Sequence, residues 1–312
     1  MSTRPVFLVT GADLAPQALA LLSDFEVVFA GKAPTEDDVV DLCRRHQPVA
    51  IIVRYSKVGA AAMDAAPGLR VISKHGSGTD TIDKVAARAR GIEVVATVGA
   101  NAAAVAEQAM ALLLACAKSV VGLNARMHAG HWDKATHKSV ELEGRTVGVI
   151  GLGAIGLRFA RIADAMGMRV LGFDPYAKKL PPHVEPCGLD RIWQESDVLS
   201  LHCPLTADNE RLLNAQTLAA CKRGVIVVNT ARGGLVDETA LLDALRSGQV
   251  HSAGLDSFAV EPMAAPHPFH GEPRIVLSPH IGGVSADAYV KMGVAAANNA
   301  LAVLHACQET QS

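Results

Sequence analysis

The chain is predicted to be α/β, made of two Rossmann-like domains with parallel sheets. Three observations carry this. The β-branched run Thr146–Ile150 leads into Gly151-Leu152-Gly153-Ala154-Ile155-Gly156, which has the G-x-G-x-x-G spacing of a dinucleotide loop. Short apolar runs alternate with helical stretches on both sides of that loop, as parallel sheets with crossover helices require. The loop also lies near the middle of 312 residues, a length that suits about two domains, so a full α/β pattern precedes it.

In the first domain Pro5–Thr10 reads as a strand, Pro16–Leu22 as a helix, Glu26–Phe29 as a strand and Glu36–His46 as a helix. Ala50–Val53 is a buried strand, followed by strands at Arg70–Ser73 and Glu93–Ala96. Ala66-Pro67-Gly68 and His75-Gly76-Ser77-Gly78 carry turn signals between them. Asn101–Leu123 is predicted as one long helix entering the second domain. Its alanine richness, interrupted by Glu107, Gln108 and Lys118, suits close packing better than a lipid span.

The second domain opens on the glycine loop. Gly151 permits the tight turn, Gly153 lets a pyrophosphate approach the backbone, and Gly156 allows close helix–strand packing. Leu157–Met166 is the following helix, its free N–H groups facing the anion. Gly167 stops it, Arg169–Phe173 is the next strand, and Asp174 closes that strand about twenty residues beyond the loop. An acid there takes both ribose hydroxyls of NAD and repels a 2′-phosphate. Val198–Leu201, Val225–Asn229, Ala253–Asp256 and Arg274–Leu277 continue a doubly wound sheet, with helices at Glu238–Ser247 and near Asn214–Ala220. Ser285–Gln308 is a final helix expected to return to the first domain. The predicted organisation is a discontinuous, flavodoxin-like substrate domain (residues 1–99 and 285–312) and an NAD domain (100–284), with the two crossings acting as a hinge.

Bulk composition narrows the function classes. Hydrophobic residues at 50% and charged ones at 19% describe a globular chain. A net charge of -2 with no basic block offers no electrostatic footprint for nucleic acid. The start, MSTRPVFLVTGAD, lacks a long apolar signal core, and no membrane span is expected. Cys43, Cys116, Cys187, Cys203, Cys221 and Cys307 show no C-x-x-C pairing, which predicts reduced, mostly buried thiols in a cytoplasmic protein.

Three polar residues stand at successive strand ends of the second domain: Arg232, Glu261 and His280. Singly, they are a turn arginine, a loop acid and a hydrogen-bonded structural histidine. Together they meet the needs of hydride transfer to a 2-oxo acid. A guanidinium grips the carboxylate and polarises the carbonyl. A histidine protonates the oxygen, and a carboxylate beside it favours the charged ring and holds it. The hydride itself comes from a nicotinamide. Cys203, in Leu201-His202-Cys203-Pro204, is read as a wall near the nicotinamide and not as a nucleophile. His267-Pro268-Phe269-His270 has a metal-like spacing without further ligands and is read as a solvated loop, as are His128 and His131; no metal is expected.

Gly144-Arg145-Thr146-Val147-Gly148 through Gly156, Asn229-Thr230-Ala231-Arg232-Gly233-Gly234-Leu235-Val236-Asp237, Gly254-Leu255-Asp256 with Glu261-Pro262, and Ser278-Pro279-His280 resemble the D-isomer-specific 2-hydroxyacid dehydrogenase family, over about Ala50 to Gly283. The resemblance implies an NAD(P)-dependent oxidoreductase, active as a homodimer, with its site in an interdomain cleft. It implies that Arg232 binds the substrate carboxylate, that Glu261 pairs with His280, and that His280 is the acid/base. Asp256 matches a nicotinamide carboxamide contact, Ala154, Ile155 and Asp174 match pyrophosphate and ribose contacts, and Thr230, Ala231 and Arg232 with His280, Gly282 and Gly283 line the nicotinamide. His75-Gly76-Ser77-Gly78-Thr79-Asp80 resembles the loop whose N–H groups hold the substrate carboxylate. Gly130-His131-Trp132 resembles a segment that reaches across the dimer, against the alternative of an aromatic packed in its own core.

Arg54, Lys57, Lys74 and His75 gather at first-domain strand ends, and four potential cations there suggest a polar or dianionic substrate. Candidates are 3-phosphoglycerate, hydroxypyruvate or glyoxylate, and a sulfolactate-type acid. Val53-Arg54-Tyr55-Ser56-Lys57-Val58 resembles the family's phosphoglycerate dehydrogenases, but Tyr55 replaces a small residue and the segment is a residue shorter, which counts against 3-phosphoglycerate. The chain ends soon after its last helix, so the regulatory domain of many serine-pathway enzymes is expected to be absent. The rival readings are an NADPH-preferring glyoxylate/hydroxypyruvate reductase, with Lys178 and Lys179 meeting a 2′-phosphate, and an NAD-sensing binding protein like the family's corepressors.

Overall fold

Buried β-branched runs assemble into two separate parallel sheets in the computed structural model, which describes residues 4–309, with side chains through residue 307. The ends of the expected first and last segments, 1–3 and 310–312, lie outside the described residues. In chain order the first elements are β1 (Val6–Val9), α1 (Pro16–Leu21), β2 (Glu26–Phe29), α2 (Glu36–His46), β3 (Ala50–Val53), α3 (Ala60–Asp64), β4 (Val71–Lys74), α4 (Lys84–Ala89) and β5 (Glu93–Ala96). Then come α5 (Ala102–Lys118), α6 (Val120–His128), β6 (Thr146–Ile150), α7 (Ala154–Ala165), β7 (Arg169–Phe173), β8 (Val184–Pro186), α8 (Leu189–Glu195) and β9 (Val198–Leu201). The rest are α9 (Ala215–Ala220), β10 (Val225–Asn229), a 3₁₀ turn (Gly233–Leu235), α10 (Glu238–Ser247), β11 (Val250–Leu255), β12 (Ile275–Leu277) and α11 (Ala286–Glu309).

The chain forms two units, one made of the segment up to Asn101 and that from Gly283 onward, the other of Ala102–Gly282. The first carries a five-stranded sheet in the order β2-β1-β3-β4-β5. Period-two alternation sends Phe7, Val9, Ile52 and Val71 to one face, under α1 and Ala296, Ala297 and Ala300 of α11. Leu8, Ile51, Val53 and Ile72 point to the other face, under α2, α3 and α4. Each such buried side chain contributes about 1.5–3 kcal/mol. A capping box starts α2: Thr35 Oγ1 accepts from Asp38 N–H, and the Asp38 carboxylate accepts from Thr35 N–H. Ser73 Oγ donates to Ala296 O at 2.9 Å, tying α11 to β4 of this sheet.

The second unit has a seven-stranded sheet, β12-β11-β10-β9-β6-β7-β8, with every pairing parallel. Val147, Val149, Ile226 and Val228 face α5 and α7, while Ile150, Leu199, Leu201 and Val227 face α8, α9 and α10. Both faces are covered, which is why these strands read as continuous apolar runs.

Three expectations need correction. The helix expected over Asn101–Leu123 is two helices, α5 and α6, bent by 61° at Ser119, whose φ of 54° is left-handed. α5 buries its small residues against α7 and the sheet, whereas no residue of α6 is buried. Helix α7 begins at Ala154, earlier than Leu157, because Gly156 is already helical and packs on the turn before it. His267–His270 is not a solvated loop: Phe269 is buried in the core, and His267 Nε2 lies 3.5 Å from Glu238 Oε2. Among the described residues no single helix is long and apolar enough to cross a membrane, and no His/Cys/Asp/Glu cluster fits a metal.

Candidate active site

The second sheet reverses direction between β6 and β9, so the turns following these strands flank its topological switch point. They touch. A Cβ on Gly151 (φ 93°) would lie 2.5 Å from Cys203 N, and one on Gly156 would lie 1.9 Å from Gly151 O. Gly153 differs: nothing lies within 4 Å of where its Cβ would be, and it caps α7 without a side-chain hydrogen bond. Two glycines thus pack the loop, and the third leaves room beside open helix N–H groups. That arrangement fits a pyrophosphate.

Asp174 lies beside this loop. One carboxylate oxygen accepts from Leu152 N–H and the other from Tyr176 N–H, both at 2.8 Å. Beneath the loop, the His202 ring packs on Phe159 and pairs through Nε2 with Ser200 Oγ at 2.8 Å. Burial drives its pKa down to about 3, so the ring is neutral. Burial also raises the Cys203 thiol to about 11, which keeps it protonated and accords with a wall beside Pro204.

Arg232, Glu261 and His280 follow β10, β11 and β12, three neighbouring strands. The buried Asn229 side chain fixes the first turn, accepting from Ala231 N–H at 3.0 Å and donating to Arg232 O at 2.9 Å. Gly233 comes next, and a Cβ there would lie 1.8 Å from the Phe258 carbonyl carbon. The arginine turn therefore packs directly on the backbone that holds the glutamate: Phe258 N–H donates to Glu261 Oε1 at 2.9 Å. The other carboxylate oxygen, Oε2, sits 2.6 Å from His280 Nδ1. Both side chains are part-exposed, at 46% for His280 and 34% for Glu261.

His280 itself is left-handed, with φ at 54°, and its loop is pinned from below. The buried Asp256 carboxylate accepts from Ser278 Oγ (2.6 Å), Ile281 N–H (3.0 Å) and Gly282 N–H (2.7 Å). Gln108 of α5 donates to Ser278 Oγ at 3.1 Å. Thr230 Oγ1, close by in sequence, is buried with no hydrogen-bond partner among the described residues. An orphaned hydroxyl beside the arginine turn fits a ligand that supplies the missing bond. Gln108, Ser278 and Asn229 carry no role in the sequence reading, since each acts through a neighbour and not through a motif.

The first unit places its candidates differently from expectation. Of the four cations, His75 is neutral: burial first, then the nearby Arg54 charge, lowers its pKa to about 4. Arg54 is ion-paired with Asp13, and Lys74 is buried and donates to Arg54 O at 2.6 Å. Lys57 remains exposed. Gly76 N–H is bonded to Thr97 Oγ1 at 2.9 Å, so it is not open to a carboxylate, while Ser77 is exposed and Gly78 half-buried. Gly283 belongs to this unit, against Asn101.

With this geometry in place, similarity to known proteins is direct. The family model for the D-isomer specific 2-hydroxyacid dehydrogenase NAD binding domain matches residues 110–282. A hydroxypyruvate reductase of Thermotoga maritima is 40% identical over 248 residues, which is 79% of this chain and 81% of that protein. A D-3-phosphoglycerate dehydrogenase of Mycobacterium tuberculosis is 38% identical over 93% of this chain, but the chain spans only 55% of that protein's length. Among solved structures, a glyoxylate reductase from Paecilomyes thermophila superposes with a TM-score of 0.85 at 30% identity, covering 96% of this chain and 94% of that one. A Thermus thermophilus protein reaches 0.89 at 38% identity, covering 96% and 97%. The chain therefore belongs to the D-isomer specific 2-hydroxyacid dehydrogenase family, and its second unit is the family's NAD-binding domain.

Proposed function

We propose that the protein is an NADH-dependent reductase of small 2-oxo acids, with Arg232, Glu261 and His280 carrying the chemistry. The observation that carries this reading is the 2.6 Å Glu261–His280 pair, packed through Phe258 on the Arg232 turn in a nucleotide-binding sheet. NADH, when bound, supplies the hydride. Arg232 binds the substrate carboxylate with paired donors and polarises the adjacent carbonyl. Glu261 accepts from His280 Nδ1, which leaves Nε2 to deliver the proton to the carbonyl oxygen. The Phe258 N–H bond to the second Glu261 oxygen keeps the carboxylate from swinging away. The relatives named hydroxypyruvate reductase and glyoxylate reductase support small 2-oxo acids as the substrate class.

NADH is favoured over NADPH because Asp174 is held at the loop by two backbone N–H groups, its charge set against a 2′-phosphate. The test is oxidation of NADH, and separately of NADPH, with hydroxypyruvate, glyoxylate, 3-phosphohydroxypyruvate and sulfopyruvate. Reduction of at least one acid with NADH preferred is the expected result; no turnover with any of them would sink the reading.

A homodimer belongs to the same proposal. Helix α6 exposes Val120, Val121 and Met127, and Trp132 just beyond it is 74% exposed, which sets aside a place in its own core. Such an apolar surface supports a partner chain. Sedimentation should give twice the chain mass, and Trp132→Asp with Val121→Lys should give the monomer.

A further inference from the structure

Glu261 lies in the long connection from β11 to β12, residues 256–274, which holds no regular element. The buried Phe258 and Phe269 anchor its two arms in the core. Over residues 259–266, between them, no residue is buried and only Met263 is half-buried, so packing holds this stretch weakly. The bond from Phe258 N–H to Glu261 Oε1 spans only three residues. It sets the glutamate against Phe258 and leaves the two free to move together. Ordering an irregular loop of this length costs conformational entropy, so a restraint from outside the loop must fix where Glu261 stands.

That restraint acts on one peptide. A Cβ on Gly233 would lie 1.8 Å from Phe258 C, 2.1 Å from Phe258 O and 2.3 Å from Ala259 N, so the Phe258–Ala259 peptide lies against the arginine turn. The N–H of the same peptide donates to Glu238 Oε1 at 2.9 Å. Adjacent amides, those of Phe258 and Ala259, are thus taken by two different carboxylates. The gripping segment is itself stitched down. Arg211 N–H donates to Gly234 O, Leu213 N–H to Leu235 O and Asp237 N–H to Leu213 O, at 2.8, 3.0 and 2.8 Å.

Glu238 is the first residue of α10, yet Asp237 does the capping, accepting from Ala240 N–H at 3.0 Å. The helix start favours a charged carboxylate at Glu238. Its side chain is 24% exposed, with Oε2 3.5 Å from His267 Nε2, so both oxygens are turned onto the loop. Every group in this chain of contacts belongs to the second unit.

We infer that Glu238 is a positioning residue for proton transfer: by holding the Ala259 N–H it keeps Glu261 in register with His280. This rests on the reductase reading and adds to it a residue that acts only through Ala259 and Glu261. Without the bond, Glu261 drifts with its loop and His280 Nδ1 loses a fixed acceptor. The Arg232 turn and the glycine loop, which Glu238 does not hold, stay as they are.

The experiment measures kcat, KM and NADH affinity for hydroxypyruvate reduction in the wild type, Glu238→Ala, Glu238→Asp and Glu238→Gln. Glu238→Ala should lower kcat about 10–10²-fold, the range for a misplaced catalytic group, with KM and NADH affinity changed by less than about threefold. Glu238→Asp, whose carboxylate is one methylene short of Ala259, should behave alike. Glu238→Gln keeps an oxygen for the Ala259 N–H and should hold kcat within about threefold of the wild type. An unchanged kcat in Glu238→Ala and Glu238→Asp, or an equal loss in Glu238→Gln, would overturn the inference and leave the reductase intact. So would losses spread evenly over kcat, KM and NADH affinity, which mark a general structural fault. Should Glu238→Ala fail to fold, the contrast between Glu238→Asp and Glu238→Gln decides alone.

A second readout needs no turnover. The ring-nitrogen NMR resonances of His280, assigned by the signals that His280→Asn removes, report which nitrogen carries the proton of the neutral ring. The wild type and Glu238→Gln should hold it on Nδ1, facing Glu261, and Glu238→Asp should lose that preference. One tautomer shared by all the variants would overturn the inference. If no acid is reduced, the reductase reading fails by itself, and the ring resonances still decide whether Glu238 holds the pair.

Discussion

At the scale of single residues, the site depends on groups held by neighbours more than on the groups themselves. His280→Asn should lower kcat for a reducible acid by about 10²–10⁴-fold, the range for losing a positioned acid/base, with NADH affinity unchanged. Steady-state kinetics beside an NADH fluorescence titration checks both halves, and unimpaired turnover would remove His280 from proton transfer. The positions of Arg232, Glu261 and His280 at strand ends were legible because each follows an apolar run that can only be a strand. Asp13 was not legible. It lies 41 residues from Arg54, and their meeting depends on β3 lying beside β1, an order that no local pattern records. The inward turn of Lys74 and the neutrality of His75 were hidden for the same reason: sequence shows ionisable residues, while burial decides whether they are charged.

Among the elements, the glycine loop gives the sharpest contrast. Gly156→Ala should destabilise the fold by about 1–3 kcal/mol or more, because the new methyl meets the Gly151 carbonyl. Gly153→Val should leave the melting midpoint nearly unchanged and weaken NADH binding on the order of tenfold, since its side chain enters open space beside the helix N–H groups. Paired thermal melts and NADH titrations separate the two; equal damage in both readouts would argue against the division of labour. Strands at Ala50–Val53, Thr146–Ile150 and Val225–Asn229 were legible to the residue, because a doubly covered strand is almost wholly apolar. The break at Ser119 was not, for α5 and α6 are both apolar and only the backbone angle parts them. Short elements such as α3 and β8 hold too few residues for a period to show.

For the whole molecule, the buried neutral histidines set an acid limit. His75 and His202 titrate at about 4 and about 3 in the folded chain, against an ordinary value of 6.5. The unfolded chain therefore takes up protons below pH 6.5 that the native state refuses, so stability is full above that pH and declines as the solution is acidified towards 4. Each histidine is worth about 2 kcal/mol between pH 7.5 and pH 5. Urea midpoints across that range should fall on acidification, with a shallower slope in His75→Asn, whose amide does not titrate. A flat profile in the wild type would mean that these rings are not held neutral.

The carboxylate of Asp256 holds Ser278, Ile281 and Gly282 around the left-handed His280, and this has a consequence for solvent exchange. Ile281 is exposed and lies in a loop, where amide protons ordinarily trade with water quickly, yet its N–H and that of Gly282 are locked onto a buried anion. Both should therefore exchange as slowly as amides of the neighbouring strands. Their deuterium uptake then serves as a clock for how often the His280 ring leaves its station, legible without substrate, cofactor or turnover.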